Sequence, residues 1–248
     1  MDKWRLGMRL TENLYLAGSG ITGIMLTDEW DCNCFLADFG DHKVLFDCGA
    51  GIQPEFLLEE LQKDGIFLTK KDWLFITRCH LDHIGAVKYM KEYIGINVGV
   101  PEEEEEILQI GDQEKSGLRA AKEAGYYPKD FTINPCIADC ALCNGEVWNF
   151  AKGTLEVIKV KGHSPGGNCY YLNLPEGRVL VSGDELNAEG KISLQVIPGA
   201  DVLGYANSIE KLQEKAVDIL LPGHGRVLLK NGSYAVEKAG KKFRTLFI

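Results

Sequence analysis

"ITRCHLDHIGAV", residues 76–87, places two of the chain's five histidines around an aspartate: His80, Asp82 and His83. Imidazole and carboxylate groups at this spacing make half of a metal site. Two positions before His80 stands Arg78, whose guanidinium stays protonated and has no lone pair to offer a cation. The stretch grows out of "DWLFIT" (72–77), an apolar run of strand length. It leads into "HIGAVKYMKEY" (83–93), which has helical spacing. Loops carried on a rigid sheet are where functional residues usually sit.

Three further stretches repeat the arrangement. "GHSPGG" (162–167) follows the strand-like "TLEVIKV" (154–160), "SGD" (182–184) closes "RVLVSGD" (178–184), and "PGHG" (222–225) closes "DILLPGHG" (218–225). They contribute His163, Asp184 and His224. Only His42 lies outside these loops, and it reads as structural or exposed. A single histidine in such a loop would carry little meaning, but four with two aspartates point to a metal centre. Imidazole and carboxylate ligands suit zinc, and also iron or manganese. An ion with an open position lowers the pKa of bound water to about 7, giving hydroxide at neutral pH.

Around these loops, β-rich segments alternate with amphipathic ones. Strands are expected over 13–18, 32–39 and 43–49, and a helix over 53–65 with Gly65 as its stop. "PEEEEEILQI" (101–110) reads as a helix start, with proline in the first turn and the acids against the positive dipole end. "EKSGLRAAKEAGYYPKD" (114–130) reads as a second helix in a cap-like insertion around residues 100–145. Strands return over 146–150, 154–160, 168–174 and 178–184. Helices follow over 208–216 and from Tyr234 onward. Two β-rich halves with interspersed helices predict two packed sheets covered by helices, in one domain over residues 1–248.

Composition bounds the partners. With 45% hydrophobic and 25% charged residues, the 248-residue chain has the balance of a soluble globular protein. No apolar run approaches the roughly 18 residues of a membrane span, and the first residues lack an uninterrupted apolar leader, so a cytoplasmic location is expected. Lys plus Arg is 27 and Asp plus Glu is 36, giving 27 − 36 = −9. That charge disfavours nucleic acid and anionic membrane, and a small-molecule substrate fits better. Oligomeric state is not fixed by the sequence, and a homodimer is compatible with it. The eight cysteines read as free thiols or metal ligands rather than disulfides. Cys32 and Cys34 share a strand face, and Cys48 and Cys169 read as small core residues. Cys136, Cys140 and Cys143 have the C-x3-C-x2-C spacing of the radical SAM iron–sulfur motif, though the rest of the chain does not resemble that class; free thiols or a disulfide are the main reading there, with an extra metal or cluster as a further candidate.

Taken in order, "TRCHLDHIG", "GHSPGG", "SGDEL" and "PGHG" resemble the metallo-β-lactamase superfamily, with its glyoxalase II, lactonase and flavodiiron branches. "DCNCFLADFGDHKVLFDCGAG" resembles the family's early strands and D-x-G turn. The resemblance covers roughly residues 12–230 and is weakest over 100–145. It implies an α/β fold, a four-layer αββα sandwich with the site at one edge of the sheets. It assigns His80 and His163 to a first metal position, Asp82, His83 and His224 to a second, and Asp184 to the bridge. Asp47 resembles the buried aspartate that supports such a site from behind.

Arg78 is the departure, since it stands where the family motif has its first histidine. Cys79 could replace that ligand only if the loop bends, because neighbours in an extended segment point to opposite sides. Three readings follow. One ion binds in the complete second position, with Arg78 as a fixed charge that orients an anion or stabilises an oxyanion; or two ions bind with the first weakened; or activity is lost and the pocket only binds a ligand. The expected function is a metal-dependent hydrolase holding one or two zinc ions, whose metal-bound hydroxide attacks an ester, thioester, lactone or amide carbonyl. Asp82 would orient the nucleophile as well as bind the ion. The alternatives are an iron-dependent redox protein related to the flavodiiron proteins, and a non-catalytic metabolite-binding protein.

Overall fold

The central strands are apolar on both faces, and their period of two sends alternate residues into different cores. In β2 (Cys34–Asp38), Phe35 and Ala37 point to one core while Cys34 and Leu36 point to another. In β10 (Gly177–Gly183), Val179 and Val181 divide from Leu180 in the same way. The computed structural model describes residues 7–191, 193, 194, 197 and 199–246.

Among the described residues, one sheet has the order β1 (Leu14–Gly18), β2, β3 (Lys43–Phe46), β4 (Trp73–Phe75), β5 (Asn97–Pro101), β6 (Cys140–Leu142). Its first two pairings are antiparallel and the rest parallel. The other sheet runs β11 (Ile219–Pro222), β10, β9 (Gly167–Leu174), β8 (Gly153–Val160), β7 (Val147–Phe150). Only its β10–β11 edge is parallel.

The sheets pack face to face through Phe35, Phe46 and Phe75 against Tyr170, Leu172 and Val181. On the outer face of the first sheet lie α1 (Glu55–Lys63) and α3 (Val87–Ile94), which bury Leu57, Leu61, Val87 and Met90. On the outer face of the second lie α6 (Val202–Gln213) and α7 (Gly232–Leu246), with Tyr205, Ile209, Leu212 and Val236 inward. Each such side chain contributes about 1.5–3 kcal/mol on burial. Three cores between four layers make the αββα sandwich that the sequence predicted. None of the described helices is long and apolar enough to cross a membrane.

The helix expected over 114–130 shortens to Leu118–Glu123, the one expected over 208–216 starts earlier and spans Val202–Gln213, and two further expectations change beside the site. The helix predicted over 83–93 is two, α2 (Leu81–Ile84) and α3, parted at Gly85 and Ala86. Gly85 N–H donates to Gly49 O at 2.9 Å, and a Cβ on Gly85 would lie 1.9 Å from Ala50 O. The turn after β3 therefore lies directly on the motif segment. The glutamate run begins no helix at Pro101, which ends β5; a 3₁₀ turn over Glu102–Glu104 precedes α4 (Glu105–Ile110). That turn points Glu104 inward, where it is 1% exposed and accepts hydrogen bonds from Cys79 N–H and Gly166 N–H. One carboxylate thus ties the loop bearing His80 to the loop bearing His163.

Beyond α4, α5 (Leu118–Glu123) and the turn after it cross over the site before the chain returns to the sheet as β6. Trp30, from the β1–β2 loop, packs against Tyr126, Tyr127 and Phe131 with ring centroids 6.2, 5.3 and 5.7 Å away.

Candidate metal centre

The loops leaving β3, β4, β8, β10 and β11 open at the same edge of the sandwich, and they carry Asp47, then His80 with Asp82 and His83, then His163, Asp184 and His224. Asp82, His83 and His224 can each offer a ligand atom such that all three lie within 4.8 Å of one another. His224 Nε2 is 3.1 Å from both Asp82 Oδ2 and Asp184 Oδ2. His83 Nε2 is 3.5 Å from Asp82 Oδ2 and from Asp184 Oδ1.

The far nitrogens explain how the rings are aimed. His83 Nδ1 bonds Asp47 Oδ2 at 2.8 Å, His224 Nδ1 bonds Thr22 Oγ1 at 2.7 Å, and His163 Nδ1 bonds Ser193 O at 2.6 Å. Each ring thus turns Nε2 toward the centre, the arrangement by which proteins fix metal-binding imidazoles. Asp47 also accepts Thr77 N–H and Thr77 Oγ1–H, both at 2.8 Å, and it holds φ at 60°, a left-handed conformation that a non-glycine residue adopts at some cost.

The other half of the centre differs. His80 Nε2 and His163 Nε2 are buried with no hydrogen-bond partner, and their rings lie 5.3 Å apart. Burial, reinforced by the Arg78 charge, pushes the His163 imidazole down to about 3 and His80 well below its usual range. Both are neutral and present lone pairs. His163 Nε2 is 3.7 Å from Asp184 Oδ2. His80, His163 and Asp184 nonetheless form no ligand set as tight as the second one. Arg78, 4% exposed, pairs with Asp184 Oδ2 and sets its Nη2 3.2 Å from His83 Nε2. Its Nε and Nη1 are buried and without partners. A guanidinium therefore occupies the corner between Asp184 and His83.

The centre is electrostatically demanding of cations. Burial opposes a charge on His224, yet Asp184 and Asp82 hold its imidazolium up to about 9. Asp184 stays ionised well below the usual carboxylate range, against burial, because Arg78 and His224 face it. These donors, with two unpartnered neutral imidazoles beside them, fit a divalent ion.

A cavity of about 550 Å³ opens over Arg78, His80, Asp82, Asp184 and His224 and is roofed by α5 and Tyr126–Tyr127.

The remaining candidates fall elsewhere. Cys136, Cys140 and Cys143 are free, and they do not come together as a ligand set. Cys32, Asp47 and His83 do meet beneath the centre. Burial holds the Cys32 thiol protonated, and Asp47 and His83 already bond each other. Cys79 is fully buried in the core beneath the loop. His42 pairs with Asp41 at 3.3 Å near the surface.

Thr22 and Glu104 have no counterpart among the residues singled out in the sequence, because neither lies in a ligand motif. Thr22→Val should weaken divalent-metal affinity about tenfold, the lower end of what outer partners of a metal-bound histidine contribute. Competition against a chromophoric chelator measures it; unchanged affinity would show that Thr22 does not set the His224 ring.

A family model described as metallo-beta-lactamase superfamily matches residues 27–224. A probable metallo-hydrolase of Bacillus subtilis (strain 168) is 29% identical over 159 residues, 64% of this chain and 67% of that protein. The acyl-coenzyme A thioesterase MBLAC2 of Homo sapiens is 26% identical over 234 residues, 84% of this chain and 80% of that protein. In these and other curated relatives, among them a hydroxyacylglutathione hydrolase of Brucella ovis (strain ATCC 25840 / 63/290 / NCTC 10512), 30% identical over 119 residues, the match spans between 35% and 80% of the relative's own length. Among solved structures, the native FEZ-1 metallo-beta-lactamase from Legionella gormanii superposes with a TM-score of 0.74 at 16% identity, covering 98% of this chain and 95% of that one.

Proposed function

The chain belongs to the metallo-β-lactamase superfamily of hydrolases, and we propose that it cleaves an acyl thioester at a centre holding one divalent ion, with Arg78 in the place of a second. The observation that carries this is the position of the guanidinium. Arg78 pairs with Asp184 and touches His83, so the charge a second ion would bring to that corner is already covalently present. Asp82, His83 and His224 would hold the ion, and Asp184 closes the site beside them. Zinc fits this donor set, as do iron and manganese. A thioester is favoured over a lactone or amide by the similarity to a protein named as a thioesterase.

A bound ion would supply Lewis acidity and a water acidified to about pKa 7. The protein's own groups do the rest. Asp82, ionised despite its burial because His83 and His224 face it, accepts a hydrogen bond from the attacking water and aims its lone pair. Arg78, which lines the cavity, would bring its fixed positive charge to the side of the carbonyl oxygen where negative charge develops. His80 lines the same cavity, with the His163 ring 5.3 Å from it, and burial keeps both imidazoles neutral. Water adds to the carbonyl carbon, the carbon–sulfur bond breaks, and a carboxylate, a thiol and a proton result.

Protein purified without oxygen should contain one zinc, iron or manganese ion per chain by elemental analysis. It should release thiol from a short acyl thioester, lose that activity in a chelator and regain it with zinc. Two ions per chain would overturn the single-ion reading. A fully loaded protein that turns nothing over but binds a metabolite tightly would favour a sensing role.

A further inference from the structure

The charged groups around the cavity are confined to one end. Arg78, His80, Asp82, Asp184 and His224 line the metal corner. The wall opposite them is built by α5 and the turn that follows: Leu118, Ala120, Ala121, Ala124, Tyr126 and Tyr127. Ala120 and Ala121 of the helix and Ala124 at its C-terminal cap, spaced by one and three, line the cavity and leave space that longer side chains would have filled. The volume of about 550 Å³ falls in the range of sites that enclose a small organic ligand.

The basic side chains of the cap take no part in this lining. Lys115 pairs with Glu106, Arg119 with Glu114, and Lys122 Nζ donates to Gln113 Oε1. Arg226, just past His224, pairs with Glu189. Among the described residues, no cation lines the wall away from the metal corner, so no positive side chain there pairs with a phosphate or a carboxylate.

We propose that this cavity is an uncharged acyl pocket, through which the enzyme selects substrates by the apolar length of the acyl group and is indifferent to the carrier on the leaving sulfur. The inference rests on the thioester-hydrolase reading above. It makes Ala120 and Ala121 specificity-determining residues, because their small size sets the depth available to the chain.

Thioesters of one acyl series, carried on N-acetylcysteamine and on coenzyme A, test both halves. Apolar burial is worth about fourfold per methylene, so kcat/KM should rise on the order of 100-fold from acetyl to hexanoyl. The two carriers should agree within a few fold, and a succinyl group should gain nothing over acetyl. Ala121→Leu, or Ala120→Leu should that variant fold poorly, should cut the hexanoyl-to-acetyl ratio at least tenfold. Calorimetry with the zinc-loaded protein reads the pocket independently of turnover: hexanoate should bind more tightly than acetate or succinate, and the leucine variant should lose that preference. Hexanoate binding no tighter than acetate, or a large preference for the coenzyme A carrier, overturns the proposal. Preferential hexanoate binding without turnover of any thioester would leave the pocket standing and remove the hydrolase reading instead.

Discussion

Asp82→Ala should empty the centre and lower kcat/KM for a thioester by about 10³-fold or more, with zinc in excess failing to restore kcat. Asp82 is the one carboxylate of its ligand set, 3.1 Å from His224 Nε2 and 3.5 Å from His83 Nε2. Without it, two imidazoles remain, and Asp184 is already committed to Arg78. In the proposed mechanism Asp82 also accepts a hydrogen bond from the attacking water, so binding and chemistry would fail together. The backbone bond from Cys32 N–H to the Asp82 carbonyl, at 3.3 Å, does not involve the side chain and survives the change. Asp82→Asn keeps the shape and removes only the charge, and it should follow the alanine variant in metal content by elemental analysis. A variant that keeps one ion and the parent rate would mean that the ion sits elsewhere.

How much of this centre is written in the sequence depends on whether the cause is local. His80, Asp82, His83, His163, Asp184 and His224 are legible because each follows an apolar run that can only be a strand, in a turn rich in glycine. Asp47 is legible for the same reason, at the end of β3. Glu104 is not, because five identical residues carry no periodicity. The choice of which turns inward is made by a 3₁₀ turn after Pro101 and by two N–H groups from distant loops. Thr22 lies in an exposed loop whose sequence holds no motif, and its role exists only because β11 delivers His224 beside it. The break at Gly85 is imposed by a turn some 35 residues earlier. Arg78 falls between these cases. Its chemistry shows that it cannot be a ligand, but its partner Asp184 is 106 residues away and comes from the other sheet.

Arg78→Met and Arg78→His should therefore behave differently. In metal-free protein, Arg78→Met leaves the Asp184 carboxylate buried with its strongest partner gone, which should cost about 3–5 kcal/mol in urea unfolding. Arg78→His loses the same pair but supplies a third imidazole beside His80 and His163, whose neutral Nε2 atoms have no other partner. Its bound metal should rise from one ion per chain toward two. Zinc at about 100 times its dissociation constant returns roughly 2.7 kcal/mol per site that binds only the folded chain, so excess zinc should recover most of the loss in Arg78→His. In Arg78→Met, zinc should give no more than it gives the parent protein. The two variants also separate charge from chemistry. If the guanidinium charge stabilises the developing oxyanion, Arg78→Met should lose kcat even when its single ion is in place, because that charge is gone. Arg78→His, with two ions, should retain part of it through the added ion. A metal count that stays at one in Arg78→His would show that the first position is closed by more than the arginine. A parent protein that already binds two would show that the guanidinium swings away from Asp184 when metal arrives.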